Sequence, residues 1–219
     1  MKPEHSILTV DPGAPQPAVI QQAADAISQG HIIAFPTTSL YGLGADALNP
    51  DAVKKIFDLK QRDPGKPVLV LVKDRAALAP LVTAIPETAV PVMENFWPGQ
   101  VTLVFNASKM VPPVLTAGTG KIGIRMPLHK VAQALVQASA HPITGTSANV
   151  SGDKGYARLS DFSAQIKNRL RLVLDAGPLR GGIGSTVVDV TTDPPRILRQ
   201  GDVPAEDIFC VLPSKRMNV

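Results

Sequence analysis

The 219-residue chain contains one cysteine, Cys210, so no internal disulfide can form and the redox setting points to the cytosol. No run of about 18 apolar residues occurs, which excludes a membrane-spanning helix. The opening MKPEHSILTVDPGAP lacks the apolar stretch of a secretory signal, so the expected location is cytoplasmic with no membrane partner. Aromatic residues make up only 4%, too few for the stacking platforms that hold single-stranded nucleic acid. Four histidines (His5, His31, His129, His141) and Cys210 show no ligand spacing, which argues against a zinc site.

Several familiar motifs are also missing. GTGK (118–121) resembles the end of a P-loop, but the first glycine of that motif would fall at Leu115 and its hydroxyl residue at Ile122. Gly42 and Gly44 lack the third glycine of a dinucleotide fingerprint. Ser147 lies between Thr146 and Ala148 rather than between the glycines of a nucleophile elbow, so an acyl-enzyme has no support.

What is present suits one globular domain. Hydrophobic residues reach 44%, enough to bury a full core at this length. The net charge of +4 (22 basic, 18 acidic) is compatible with an anionic or nucleic-acid partner without requiring one. Helical patterns run over Ala18–Gln29, with Gly30 as stop, and from an Asn49 cap and Pro50 to Lys60. Further helices are expected at Arg75–Val82, Glu87–Asn95, His129–Ala140 and Ser160–Asn168, the last capped by Ser160. Strands are expected at His31–Pro36, Val68–Val72, Val101–Phe105, Lys121–Met126, Arg171–Asp175, Ser185–Val190 and Arg196–Gly201, and another enters the small-residue turn of 142–152. Between the first strand and the Asn49 cap, Thr37–Gly44 reads as a turn. The class is α/β with a mixed sheet.

Polar clusters sit at the ends of these elements. Val53, Ile56 and Phe57 form an apolar stripe, and Lys60, seven residues after Val53, falls on the same inward face. A lysine there snorkels, pairs with an acid or meets a ligand; with Arg62 it could form a two-pronged anion clamp opposite the Thr37–Gly44 turn. In KIGIRM, Ile122 and Ile124 share one face and Arg125 shares the other with Gly123, which leaves room for a ligand beside the guanidinium. The alternative is an arginine on a solvated strand face. Ser147 with Asn149 and Ser185 with Thr186 fit either turn and strand-end roles or a site. Taken together, cations, hydroxyls and glycines without a nucleophile or metal cage suit a phosphate-bearing substrate handled by positioning and charge stabilisation.

In order along the chain, PTTSLYGLG, the lysine and arginine of LKQRDPGKP, FWPGQVT, IGIRMP, TSANVSG, STVVDV and ILRQG closely resemble the motifs of the YrdC/TsaC threonylcarbamoyl-AMP synthases, over about residues 7 to 202. The resemblance implies a single YrdC-like domain over 7–202 with a C-terminal tail over 203–219, the short form of the family. The implied fold is a twisted mixed parallel and antiparallel sheet with surrounding helices and a large concave basic face. The implied reaction joins L-threonine, bicarbonate and ATP into L-threonylcarbamoyladenylate and pyrophosphate, with Mg²⁺ bound through the ATP phosphates. A threonylcarbamoyl transferase complex would then modify adenosine 37 of tRNA, and tRNA or double-stranded RNA is a further implied partner. A non-catalytic RNA-binding paralogue of the same fold is the alternative.

Carried over residue by residue, the resemblance implies that Thr37, Arg125 and Ser185 bind threonine. Lys60 and Arg62 are the implied catalytic pair and also bind ATP, together with Lys121, Ser147, Asn149 and Arg199. Four departures stand out. Thr38 replaces an acid common in the family, Leu71 replaces a histidine, Lys121 stands where threonine is frequent, and GYARLS (155–160) departs from the usual pattern.

Overall fold

The computed structural model describes residues 6–212. The chain opens with β1 (Ser6–Thr9), α1 (Pro17–Ser28) and a hairpin of β2 (Ile33–Pro36) and β3 (Tyr41–Gly44). α2 (Pro50–Lys60) begins where the sequence places it. Asn49 Oδ1 accepts from the amides of Asp51 and Ala52, Pro50 starts the first turn, and Asp51 meets the positive end of the helix. Gln61 ends the helix in the left-handed region (φ 48°), and the amides of Gln61 and Arg62 return to the carbonyls of Asp58 and Phe57.

There follow β4 (Val70–Leu71), a 3₁₀ turn (Ala76–Leu78), α3 (Ala89–Phe96), β5 (Val101–Asn106), β6 (Lys121–Arg125) and α4 (Lys130–Ala138). The last third holds β7 (Ile143–Thr144), β8 (Thr146–Ser147), α5 (Ala164–Lys167), β9 (Leu172–Asp175), β10 (Thr186–Asp189), β11 (Arg196–Arg199) and α6 (Ala205–Cys210).

The strands form two mixed sheets, ordered β1-β9-β2-β3-β8 and β11-β10-β5-β6-β4-β7. In the first, β9 runs parallel to β1 and β2, while β3 is antiparallel to β2 and β8. β2 and β9 are buried on both faces. Ile33, Phe35, Leu172 and Leu174 pack with α1 and α4, whereas Ala34 and Val173 face the larger core shared with the second sheet and α2. The continuous apolar run in β2 follows from this double burial.

At one crossing a single residue separates the sheets. β7 pairs with β4 in the second sheet, β8 pairs with β3 in the first, and only Gly145 lies between them. A Cβ at Gly145 would come within 2.7 Å of Leu71 Cγ, so the crossing requires glycine. The Gly145 amide is held by the Leu69 carbonyl.

The expected α/β class and mixed pairing hold, with several local differences. Tyr41–Gly44 is a strand rather than a turn, because Gly42 and Gly44 make room for the Phe35 ring; a Cβ at either would approach it to 3.2 or 3.0 Å. Of Val68–Val72, only Val70 and Leu71 are ladder-paired, since the Val68 amide turns to the Leu115 carbonyl. Arg75–Val82 holds a single 3₁₀ turn, ahead of Pro80, which has no amide to continue a helix. Ser163, not Ser160, caps the helix before β9; Phe162 is buried in an extended conformation that separates it from the turn at Leu159–Asp161. The segment expected as a tail from 203 contains α6, whose Ile208 enters the main core, and 213–219 lie outside the described residues.

The Asn49 cap gives a direct check on this local reading. Asn49→Ala should lower the unfolding free energy by ~1 kcal/mol, the usual cost of losing a cap, as measured by urea denaturation. An unchanged midpoint would mean that tertiary packing alone holds the start of α2.

Candidate active site

A cavity of about 470 Å³ is lined by both sheets and their connecting segments. Strand alternation supplies much of its wall. From β6, Lys121, Gly123 and Arg125 face the cavity, while Ile122 and Ile124 face the core. From β5, Thr102 and Val104 face it, while Val101, Leu103 and Phe105 do not. A register shift between β10 and β11 pairs Val187 with Arg199 and Val188 with Ile197, so Leu198 is the extra residue. That bulge lets the consecutive residues Leu198 and Arg199 both line the cavity.

The remaining wall comes from Thr37 with Ser39–Gly42, Arg62 with 67–69, Thr119, the Gly145 crossing with Thr146 and Ser147, Ile183–Ser185 and Val187. The cavity therefore brings together Thr37, Arg62, Lys121, Arg125, Ser147, Ser185 and Arg199 from the sequence-derived set. These residues come from six separate stretches of chain, joined here by the register of two sheets.

The cations are held in different ways. Arg62 stands just past the left-handed end of α2, and its Nε and Nη2 donate to the carbonyls of Lys66 and Pro67 at 2.8 and 2.7 Å. Arg199 donates through Nε and Nη2 to the Ser185 carbonyl, and its Nη2 also reaches Ser185 Oγ at 3.3 Å. The Ser185 hydroxyl lies 2.8 Å from that of Thr102. Arg125 is 6% exposed; its Nη1 donates to Gln100 Oε1 at 2.6 Å, and its buried Nε has no partner. Lys121 alone among these cations is paired with an acid, Asp189, at 2.8 Å.

Among the described residues, Arg62, Arg125 and Arg199 form no ion pair. Burial, with the Arg199 charge nearby, holds Arg125 down at about 10 and depresses Arg62; burial depresses Arg199 as well. Guanidinium groups stay protonated, so Arg199 repels both Arg62 and Arg125 across a partly dry space. An anion placed among them would relieve that repulsion. Among the described residues no three His, Cys, Asp or Glu side chains cluster so as to hold a metal ion.

Two residues of the set are not on the cavity wall. Lys60 is 1% exposed, and its Nζ donates to the carbonyls of Ser147 and Asn149 at 2.5 and 2.6 Å. The inward placement read from the helical stripe is correct, but the ammonium holds the 147–149 backbone from behind and is not a second prong beside Arg62. Burial, then the Arg62 charge, lowers its pKa to about 7. Asn149 is 5% exposed; its Nδ2 donates to the carbonyls of Val150 and Asp153, so it closes the turn after β8, and its buried Oδ1 has no partner.

Sequence reasoning passed over Gln100 and Tyr41. Gln100 falls within the FWPGQVT motif, where the sequence assigned it no role. Tyr41 is fully buried and lines the cavity; its hydroxyl lies 3.0 Å from Asp175 Oδ1, donates to the Gly177 carbonyl and accepts from the Ala176 amide. It thereby anchors the start of the glycine-rich segment 176–184. The one local signal was an aromatic directly before Gly42, which does not reveal a partner 134 positions away.

Known proteins share both sequence and fold with this chain. The Sua5/YciO/YrdC family model, described as telomere recombination, matches residues 25–201. The threonylcarbamoyl-AMP synthase of Pyrococcus abyssi is 38% identical over 199 residues, which is 91% of this chain and 58% of that protein. The Bacillus subtilis protein of the same name is also 38% identical, over 88% of this chain and 56% of its own length. The crystal structure of P. abyssi Sua5 complexed with L-threonine superposes with a TM-score of 0.89 at 38% identity, covering 94% of this chain and 60% of that one. This chain thus spans a little over half the length of these relatives. By the extent of the match and the shared fold, it belongs to the Sua5/YciO/YrdC family.

Proposed function

We propose that this cavity is the active site of an L-threonylcarbamoyladenylate synthase, which binds L-threonine, bicarbonate and ATP side by side. The observation that carries the reading is the convergence of Arg62, Arg125 and Arg199 on one cavity, with no ion pair to any of them among the described residues. It is supported by relatives named threonylcarbamoyl-AMP synthase and by a related structure complexed with L-threonine.

In this reading the threonine carboxylate takes the buried Arg125, whose unpartnered Nε offers a donor in the fork geometry that carboxylates match. Thr37 and Ser185 complete the amino-acid end. Arg62, Lys121, Ser147 and Arg199 line the nucleotide end. Lys60 and Asn149 act on ATP by fixing the backbone that carries Ser147. Cations and hydroxyls of this kind fit a triphosphate that brings its own Mg²⁺, and that ion would neutralise charge on the departing phosphates.

Chemically, the threonine amine and bicarbonate give a carbamate and water. A carbamate oxygen then bonds to the α-phosphorus of ATP while the bond from that phosphorus to the bridging oxygen breaks, and pyrophosphate leaves. Charge builds on the phosphoryl oxygens in the transition state, where the fixed guanidinium of Arg62 acts without reorganising. The product would pass in the cytoplasm to a threonylcarbamoyl transferase complex acting on tRNA.

Purified protein supplied with ATP, Mg²⁺, bicarbonate and labelled threonine should release pyrophosphate only when both threonine and bicarbonate are present. No release, with salt-sensitive RNA binding retained, would favour the non-catalytic RNA-binding alternative. Arg62→Ala should lower turnover by ~100- to 1000-fold, the scale for one lost transition-state stabiliser. Arg125→Ala should raise the KM for threonine more than that for ATP; the reverse would reassign Arg125 to the nucleotide.

Lys60 gives a pH test. Its folded pKa near 7 lies below the ordinary 10.5, so between these values the unfolded chain binds the extra proton and rising pH favours the folded state. The stability advantage of the parent protein over Lys60→Met should therefore widen from pH 7 towards pH 10 in guanidinium titrations. A constant or shrinking difference would show that the folded amine keeps its ordinary basicity.

A further inference from the structure

Gln100 lies where three parts of the cavity wall meet. The Gly99 amide donates to the Met126 carbonyl just beyond β6, and the Gln100 carbonyl accepts from the Thr186 amide at the start of β10. The backbone is thus fixed on both sides of the residue. Its side-chain amide is polarised by its neighbours: Oε1 accepts from Arg125 Nη1 at 2.6 Å, while Nε2 donates to Asp202 Oδ2 at 2.9 Å. A reversed amide would set NH₂ against a guanidinium and an oxygen against a carboxylate, so only one orientation is stable.

Asp202 is itself fixed. Its amide donates to the Gly184 carbonyl, its carboxylate receives Arg180, and it follows Gly201, where a Cβ would lie 2.3 Å from the Ser185 carbonyl carbon. We propose that Gln100, braced by Asp202, is the positioning residue that orients the Arg125 guanidinium for a ligand carboxylate without itself forming an ion pair with it. The inference rests on the reading of Arg125 as the carboxylate site.

The choice of an amide has a physical reason. A neutral acceptor sets the plane of the guanidinium and keeps the Asp202 carboxylate one side chain away, so no ion pair competes directly at Nη1. A carboxylate at the same position would make an ion pair with Arg125 and compete with that anion. It would also face the Asp202 carboxylate across the present hydrogen bond. An apolar residue would leave Arg125 charged but free to rotate, with Nη1 as a second unpartnered buried donor.

Threonine and ATP affinities of the parent protein, Gln100→Ala and Gln100→Glu, each measured separately by titration calorimetry, test this. Threonine affinity should fall ~10-fold in Gln100→Ala, the worth of one charge-assisted hydrogen bond. In Gln100→Glu it should fall further, by ~100-fold, as the charge of Arg125 is neutralised. ATP affinity should stay within about twofold of the parent in both, since no nucleotide-end cation contacts Gln100. Melting curves verify that each variant folds.

A merely structural role would give the opposite order, because glutamate is the closer match in size and shape. Threonine affinity in Gln100→Glu equal to or above that of Gln100→Ala, or no loss in Gln100→Ala, would overturn the proposal and leave Arg125 as the carboxylate site. A parent protein that binds ATP but no threonine would instead overturn the carboxylate reading, and the role of Gln100 with it.

Discussion

Like-charge repulsion inside a partly dry cavity is the constraint on which the rest of the structure depends. Arg62, Arg125 and Arg199 would separate into water if the chain allowed it. Each is instead anchored through its own N–H groups: Arg62 to the 66–67 backbone, Arg125 to Gln100, and Arg199 to Ser185. None of these anchors carries a full negative charge, so the repulsion is held rather than cancelled. Fixing cations in advance of the anion is what makes such a site effective, because little reorganisation remains when charge develops.

The two-sheet architecture supplies the rigidity. Strand β6 brings Arg125 in from one sheet, and β8 brings Ser147 from the other. The single glycine at 145 lets the chain pass between the sheets within hydrogen-bonding distance of Leu69. Behind this crossing, the Lys60 ammonium ties the last turn of α2 to the carbonyls of Ser147 and Asn149. A buried amine with two carbonyl acceptors leaves few unsatisfied polar groups in a region where each would be costly. Helix, crossing and cavity wall therefore behave as one mechanical unit.

Local chemistry made much of this legible beforehand. The Asn49-Pro50-Asp51 start of α2, the inward position of Lys60 and the split faces of KIGIRM follow from 3.6- and 2-residue periodicity and from capping, all short-range effects. The ordered motifs also gave the family and most of the cavity wall. The sequence was misleading where a glycine served packing rather than turning. Gly42 and Gly44 accommodate the ring of Phe35 on the paired strand β2, and the pairing register rather than any turn signal places that ring over them. Ser160 and Ser163 are equally good caps by type, and burial of Phe162 between them decided for Ser163.

By itself, then, the sequence determined most of the helix and strand segments, which residues carry charge, and which face of most elements is apolar, because those properties depend on neighbours within a turn or two. Only the tertiary structure decided that Lys60 reaches carbonyls 87 and 89 positions away instead of the cavity, and that an amide at Gln100 links Arg125 to Asp202. These partners are chosen by sheet register and by the bulge and crossing that set it. Such long-range geometry is absent from any short window of the chain.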